Sequence, residues 1–312
     1  MEHVKYFHTH ETHVKLRWKN KPLIDVLHSE FTTRSYEYYE DAICNGVITV
    51  NNKIVSPTYK LKDLDIIRHT VHIHEPMTPK IEIIAEEQDY CVVNKPPGIP
   101  CHPTGGYFLY SVTKSLFKDQ SVGCVNRLDM PVSGVLILTF NNSDHAHNSL
   151  KSAEKIYIAK VKGDFPEYVE VDQPIGLTTG RIHDVCESGK PSKTIFKKLG
   201  FKDGYSLVQC QPITGRTHQI RIHLKYIGFP VLHDILYGDG KAPEIFSDSA
   251  CGCHENIDNF EDKEKYRCIL RHCRGVNNRT FQIKNAFICL HAWKYVFNDI
   301  EYVAKLPEWA FL

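Results

Sequence analysis

The sequence predicts an α+β fold whose main domain is built on a mixed, mostly antiparallel sheet. Short apolar runs rich in β-branched residues alternate with turn-forming residues, which is typical of strands joined by hairpins. Only a few segments show the apolar spacing of an amphipathic helix. Because the chain has 312 residues, we also expect a second, smaller unit beside the main domain.

The first stretch, residues 1–21, is predicted to be a polar arm. It contains four histidines, and a metal site is one interpretation of them, but we expect a solvated, frayed terminus: His3, His8, His10 and His13. The following residues, 22–75, have the pattern of a small folded unit. Its predicted elements are helices within residues 23–31 and 39–46, a hairpin over 47–55 and a short strand over 64–68.

A proline-punctuated linker over residues 74–79 separates this unit from the main domain, which is predicted over 80–312 with an insertion at 240–284. Strands of the main domain are predicted at 81–84, 90–93, 135–138, 155–161, 194–199, 205–210 and 287–295. Helices are predicted at 111–117, 142–152 and 215–228.

The composition is that of an ordinary globular chain, with 42% apolar and 24% charged residues and a formal net charge of +1. No apolar run approaches the roughly 20 residues of a membrane span, and the polar start does not resemble a secretory signal. We therefore expect a soluble cytoplasmic protein without a membrane partner, with nuclear and mitochondrial pools left open. Because the net charge is so small, any binding to nucleic acid requires cations gathered on one face.

The chain contains 11 cysteines, an odd number that does not suit a complete disulfide framework, so we expect reduced thiols. Within the insertion, two cysteine pairs suggest structural zinc, but their spacings differ from the usual C-x2-C knuckle: Cys251, Cys253, Cys268 and Cys273. We interpret this stretch as a surface insertion with reduced thiols and keep zinc as the alternative.

A charge pair in the main domain indicates a site. Arg127 and Asp129 lie in a loop rich in Pro, Gly and Ser, just before the buried strand predicted at 135–138. A carboxylate at the mouth of a buried strand needs a cation partner if it is to stay ionised. The segment most suited to supply that cation is 215–224, which carries Arg216 and Arg221.

These motifs resemble those of the RluA-type pseudouridine synthases, in their eukaryotic branch. The family patterns H-R-L-D-x-x-T-S-G, G-R-T-H-Q-I-R-x-H-L, N-K-P-x-G and K-x-Y correspond to residues 126–134, 215–224, 94–98 and 155–157. Asn126 stands where the family has His, and Val132 stands where it has Thr. The small unit resembles the RNA-binding module named after ribosomal protein S-four, with candidate phosphate contacts at Arg34, Lys53, Lys60 and Lys62; a module that only packs is the alternative.

The resemblance implies an enzyme that isomerises uridine to pseudouridine in RNA, without cofactor or metal, with tRNA (anticodon-loop uridine 32) or mRNA as substrate. It implies that Asp129 is the catalytic carboxylate and that Arg221 is its salt-bridge partner. It also implies that Tyr157 stacks on the base and helps to remove the proton from the ring carbon. Arg127 then fills the space left by a flipped uridine. Further contacts to phosphate or to the pocket wall are implied for Lys95, Arg216 and His218, and we expect a monomer.

Three alternatives remain at this stage. Asp129 and Arg221 form only a structural ion pair in the first. In the second, the substitutions at Asn126 and Val132 leave a catalytically silent RNA-binding protein. In the third, the cysteine and histidine residues of the insertion serve a metal-dependent hydrolase.

Overall fold

The computed structural model describes residues 3–32, 34–76, 78–104, 107–118, 120–140, 153–178, 182–240, 262–271, 287–297 and 299–312. These residues divide into two compact units. The first comprises the described residues up to 76 together with 262–271, and the second comprises 78–240 and the described residues from 287 onward. Within these ranges, no helix is long and apolar enough to cross a membrane.

The first unit packs two helices on a three-stranded antiparallel sheet of order β1-β3-β2. Its strands are β1 (His3–His13), β2 (Ile48–Val50) and β3 (Ile66–Pro76), and its helices are α1 (Leu23–Glu30) and α2 (Tyr36–Cys44). The apolar positions that predicted both helices are buried in one core. Ser35 caps α2 by accepting a hydrogen bond from the backbone N–H of Tyr38 at 3.2 Å.

Several predictions for this unit are wrong. The arm predicted over residues 1–21 is not frayed, because residues 3–13 form β1 and pair with β3 along its whole length. The predicted hairpin is confirmed only at its turn: Asn51 and Asn52 both have positive φ, and Val50 exchanges two backbone hydrogen bonds with Lys53. The longer pairing of β2 is with β3. The strand predicted over 64–68 continues to Pro76, so the linker is shorter than expected.

The cations proposed for phosphate contact in this unit have different environments. Lys53, Lys60 and Lys62 are exposed. The guanidinium carbon of Arg34 lies 4.7 Å from the ring centre of Tyr38, the geometry of a cation–π contact. An RNA-binding role for this unit stays a prediction.

The second unit is an α+β domain, as predicted, centred on a ten-stranded mixed sheet of order β4-β5-β7-β14-β8-β13-β12-β9, with β6 paired to β7 and β15 to β14. The strands are β4 (Glu82–Glu86), β5 (Tyr90–Lys95), β6 (Val122–Cys124), β7 (Ser133–Phe140), β8 (Glu154–Lys162), β9 (Tyr168–Asp172), β12 (Lys193–Lys202), β13 (Tyr205–Pro212), β14 (Leu290–Phe297) and β15 (Ile300–Val303). A separate two-stranded sheet is formed by β10 (Ile175–Leu177) and β11 (His183–Val185). The helices are α3 (Val112–Phe117) and α4 (Gln219–Tyr226).

The centre of the sheet is β7, whose first seven residues are all buried. It pairs in parallel with β14, with Gly134 opposite Ala292. A Cβ atom at Gly134 would lie 2.1 Å from the carbonyl oxygen of Ala292, and the residue has φ +112°. Only glycine fits at this position. Gly134 therefore lets β14 approach β7, the strand that follows the loop with Arg127 and Asp129.

The last described α-helix, α5 (Lys263–Arg271), comes from the insertion that was predicted to belong to the main domain. It packs instead in the first unit, because Cys268 and Ile269 are buried in the core of that unit. Arg271 also forms an ion pair with Asp41 at 2.9 Å.

Two further predictions concern the helix that follows β7 and the cysteines of the insertion. The helix predicted at 142–152 lies outside the described residues. Of the zinc candidates, Cys251, Cys253 and Cys273 also fall outside them, whereas the Cys268 thiol donates to Asp41 at 3.1 Å. The eight described cysteines are free thiols, and the described residues contain no group of three or more His, Cys, Asp or Glu suited to a metal.

Candidate active site

The loop between β6 and β7 carries the predicted site, and its apolar residues hold it in place. Val125, Leu128 and Val132 are buried in the core of the second unit. Because these anchors face inward, Arg127 is exposed and Asp129 lies half-buried at the edge of the sheet. The sequence pattern therefore places two polar side chains at a rigid strand entrance.

Asp129 meets the guanidinium predicted for it. Arg221 on α4 donates from Nη1 to Asp129 Oδ2 at 2.7 Å, although the two residues are 92 positions apart in the chain. The Arg221 side chain is only 6% exposed and that of Asp129 is 29% exposed. The pair thus has one buried and one accessible member, as a carboxylate that acts on a bound molecule requires.

A second carboxylate, which the sequence analysis missed, holds the other side of Arg221. Asp234 is fully buried and accepts from Arg221 Nε at 2.7 Å and from Nη2 at 2.9 Å. Burial alone would raise the pKa of Asp234. The hydrogen bonds and charge of Arg221, together with the backbone N–H groups of Leu236 and Tyr237, have a larger opposite effect, so the pKa lies below its usual value. This bidentate pair fixes the plane of the guanidinium.

The pKa of Arg221 reflects the same arrangement. Burial lowers this pKa, but the hydrogen bonds that Arg221 donates to Asp234 and the charges of Asp129 and Asp234 outweigh burial and raise the pKa above its ordinary value. Arg221 is therefore a permanent cation beside Asp129.

His218 and Tyr237 form the next layer around this ion pair. His218 stands at the N-cap of α4 in the left-handed conformation, with φ +56°. Its Nε2 lies 3.7 Å from Asp129 Oδ2, and its Nδ1 is 2.9 Å from the hydroxyl of Tyr237. The guanidinium carbon of Arg221 lies over the Tyr237 ring, 5.0 Å from the ring centre. Burial lowers the pKa of His218, which favours a neutral ring at pH 7.

The structure gives Tyr157 a partner that was not predicted. Its hydroxyl is hydrogen-bonded to that of Tyr295 on β14, and Tyr295 in turn lies 3.3 Å from Asn126 Nδ2. Burial raises the pKa of Tyr157 to about 12, and the nearby Asp129 charge contributes in the same direction. Tyr157 is therefore a neutral phenol within the field of the candidate carboxylate.

Lys95 is not the phosphate contact that the sequence suggested. It is fully buried, and its Nζ donates to the carbonyl oxygens of Pro96, Ile99 and Met130 at 2.9–3.1 Å. Burial lowers the pKa of Lys95 to about 8, so the ammonium stays charged at pH 7. Its three bonds tie the proline loop to the residue that follows Asp129, which makes Lys95 a positioning group.

Arg127 and Arg216 are two exposed cations close in sequence to Asp129 and Arg221. Arg127 is exposed and makes no hydrogen bond or ion pair with the described part of the chain. Arg216 is also exposed, and its Nε donates to the carbonyl oxygen of Pro191 at 3.1 Å. It borders a groove of about 420 Å³ whose other walls are mainly glycine and polar residues: Ile175, Gly176, Leu177, His183, Ser188, Gly189, Lys190, Gly215 and Thr217.

The structure brings Arg221 and His218 to Asp129, places Tyr157 within reach of the Asp129 charge, and adds Asp234 and Tyr295. The roles of the predicted residues stay predictions. Asp129 Oδ1 accepts no hydrogen bond from any residue that the structure describes, so one carboxylate oxygen is available to a substrate. The arrangement suits a reaction in which a carboxylate adds to an electrophile or removes a proton next to a bound ring.

Comparisons with known proteins identify a family to which this chain is similar. Residues 89–226 match the family model described as RNA pseudouridylate synthase. The chain is 39% identical over 249 residues to the mitochondrial tRNA pseudouridine(32) synthase of Saccharomyces cerevisiae, covering 75% of this chain and 54% of that protein. It is 36% identical over 345 residues to RNA pseudouridine synthase 7 of Arabidopsis thaliana, covering 99% and 86%.

The chain therefore spans about half the length of the yeast relative and most of the plant relative. Among solved structures, Human RNA Pseudouridylate Synthase Domain Containing 4 is similar with a TM-score of 0.50 at 23% identity, covering 73% of this chain and 90% of that chain. At this identity the likeness concerns the fold alone.

Proposed function

Because this chain belongs to the RNA pseudouridylate synthase family, we propose that it isomerises uridine to pseudouridine in RNA with Asp129 as the catalytic carboxylate. The observation that carries this proposal is the 2.7 Å ion pair between Asp129 and the buried Arg221, formed across the fold at the entrance of β7. A cation fixed at this distance holds one carboxylate oxygen in place and leaves the other free to meet a substrate.

The reaction breaks the bond between uracil N1 and the sugar carbon and forms a bond from uracil C5 to the same carbon. The hydrogen on C5 leaves as a proton, and N1 gains one, so the product is an isomer. Asp129 acts either by covalent attack or by removing a sugar proton, and both routes use its accessible oxygen. Arg221 holds the second oxygen and so directs the first toward the substrate.

The substrate must leave the RNA stack to reach this site, which costs a few kcal/mol. The exposed Arg127, two residues before Asp129, supports a role in filling the space that the base leaves. We propose tRNA as the substrate class, with uridine 32 of the anticodon loop tested first and mRNA second, since the yeast relative is named for tRNA position 32.

The test is to incubate the purified chain with tRNA and mRNA fragments and to locate pseudouridine by carbodiimide treatment and reverse transcription. We expect new stops with the wild-type protein and none with Asp129→Ala. RNA binding without any stops in either sample would support the silent RNA-binding alternative. Bound zinc and a hydrolytic activity that is lost in the presence of a chelator would support the metal-dependent hydrolase.

The monomeric state stays a prediction, which light scattering on the purified protein checks.

A further inference from the structure

The orientation of the Asn126 amide is determined by its neighbours. The backbone N–H of Ile137 lies 2.8 Å from Asn126 Oδ1, and an N–H can only donate, so this atom must be the amide oxygen. The amide nitrogen therefore faces Tyr295, with Nδ2 3.3 Å from its hydroxyl. It also lies 3.4 Å from the carbonyl oxygen of Val135. An amide nitrogen has no lone pair to offer, so it is a donor to both groups.

This orientation sets the direction of the next hydrogen bond. The Tyr295 hydroxyl accepts from Asn126, and its own single proton remains for another partner. Tyr295 is 1% exposed, and within the described residues the other partner of its hydroxyl is the hydroxyl of Tyr157. Tyr295 therefore donates and Tyr157 accepts.

Because the Tyr157 hydroxyl accepts from Tyr295, its own proton can be donated to a group other than Asn126 and Tyr295. We infer that Tyr157 acts as a hydrogen-bond donor to a carbonyl oxygen or ring nitrogen of the bound uracil, and that Asn126 and Tyr295 are positioning residues that impose this direction. This inference rests on the proposed function. It deepens that function by giving the aromatic hydroxyl a donor role in place of a proton-accepting one.

The same geometry argues against passage of a proton inward through Tyr157. A relay from Tyr157 to Tyr295 requires Tyr295 to hand its proton on, and the group beyond it is an amide NH2 that accepts nothing. The raised pKa of Tyr157, caused first by burial, agrees with a hydroxyl that stays protonated. The proton from uracil C5 must therefore go to another acceptor, such as water or a carboxylate of the site.

Tyr295→Phe tests the inference because it removes one hydroxyl and keeps the ring. We expect kcat for pseudouridine formation to fall about five- to tenfold, the effect of losing one directed hydrogen bond, with KM within about twofold. In a Tyr157→Phe background the same substitution should change kcat by less than about twofold, since Tyr295 acts through Tyr157. Equal effects of Tyr295→Phe in both backgrounds would overturn the inference.

Tyr302→Phe is the matched control. Its hydroxyl is also buried in a tyrosine pair, 2.7 Å from the hydroxyl of Tyr90, on β15 of the same unit. We expect its kcat and KM to match the wild type. If Tyr302→Phe lowers kcat as much as Tyr295→Phe does, the loss reflects general destabilisation and the inference fails.

Asn126→Asp supplies an independent pH readout. The new side chain has the same shape, but its ionised form can only accept, which reverses the direction of the bonds to Tyr295 and Tyr157. We expect the ratio of variant to wild-type kcat to fall as pH rises and the new carboxyl ionises, and to recover as it becomes protonated. A ratio independent of pH would contradict the inference, whereas a wild-type protein that forms no pseudouridine at any pH would contradict the proposed function itself.

Discussion

Arg221 touches Asp129 with only one of its nitrogens, because Asp234 holds the other two. The bond to Asp129 is therefore not needed to keep the guanidinium in place. Asp129 can change its charge or its partner during a reaction while Arg221 stays fixed and paired. The two carboxylates consequently divide their work, with Asp234 determining the position of Arg221 and Asp129 facing the substrate.

The first prediction follows for Asp129→Asn. An amide keeps one oxygen for Arg221 but cannot attack or accept a proton, so we expect pseudouridine formation to fall by roughly a thousandfold or more. The free energy of unfolding should change by less than about 1 kcal/mol, since Arg221 keeps Asp234 and Asp129 is partly solvated. Carbodiimide mapping and urea unfolding of the same preparation measure both. Appreciable residual activity would mean that another group is the catalytic carboxylate.

The second prediction concerns Asp234→Asn, which is the matched change on the buried side. One oxygen is replaced by an NH2 group that faces the Arg221 guanidinium, and a buried charge pair is broken. We expect the free energy of unfolding to fall by about 3–5 kcal/mol, several times the effect of Asp129→Asn. Urea unfolding at pH 7 compares the two variants, and equal losses would contradict the division of roles between the carboxylates.

The third prediction is the pH dependence of that difference. The folded-state pKa of Asp234 lies below the ordinary value of 3.8. Its contribution to stability is therefore complete above the unfolded-state pKa and is lost as pH falls through the folded-state pKa. The stability gap between wild type and Asp234→Asn should be constant from about pH 7 to 5 and narrow below about pH 4. A gap that widens in acid would show that the sign of the shift is wrong.

The residues alone could predict that a strand entrance creates a need for a cation and that the segment 215–224 supplies it. The choice of Arg221 over Arg216 came from the family resemblance. The sequence could not predict Asp234, since an Asp in a turn before Tyr237 and Gly238 has the local pattern of an ordinary loop residue. Its role follows only from the packing of that loop under α4. Tyr295 was missed for a similar reason, because an aromatic residue in a strand is by default a core residue.

Boundaries failed where backbone or distant contacts overrode local pattern. The helix predicted from residue 215 begins at Gln219, because His218 is in the left-handed conformation and the Gln219 side chain accepts from Thr214 and Arg216. β1 was missed because its side chains are largely polar, and an edge strand gains its order from backbone pairing with a neighbour that sequence pattern alone does not reveal.

The fourth prediction is that Lys95→Met destabilises the second unit. The substitution keeps the length of the side chain but removes the ammonium that the carbonyl oxygens of Pro96, Ile99 and Met130 share. The Met130 oxygen keeps a second donor, the backbone N–H of Gly98 at 2.8 Å. We expect a loss of about 3 kcal/mol in the free energy of unfolding, because buried acceptors that lose their donor are costly. The exposed Lys80→Met is the control and should stay within about 0.5 kcal/mol of the wild type. Similar values for both variants would mean that Lys95 is not a structural anchor.

The fifth prediction separates RNA binding from chemistry at Arg216. Its side chain is exposed beside the groove, so it can neutralise a phosphate without touching the reacting atoms. For Arg216→Ala we expect KM for RNA to rise roughly threefold to tenfold with kcat within about twofold, and the slope of log KM against log salt to decrease by about one. Lys202→Ala, at the exposed turn between β12 and β13, is the charge-matched control and should leave the salt slope unchanged. A fall in kcat at constant KM would instead place Arg216 among the groups that act in the chemical step.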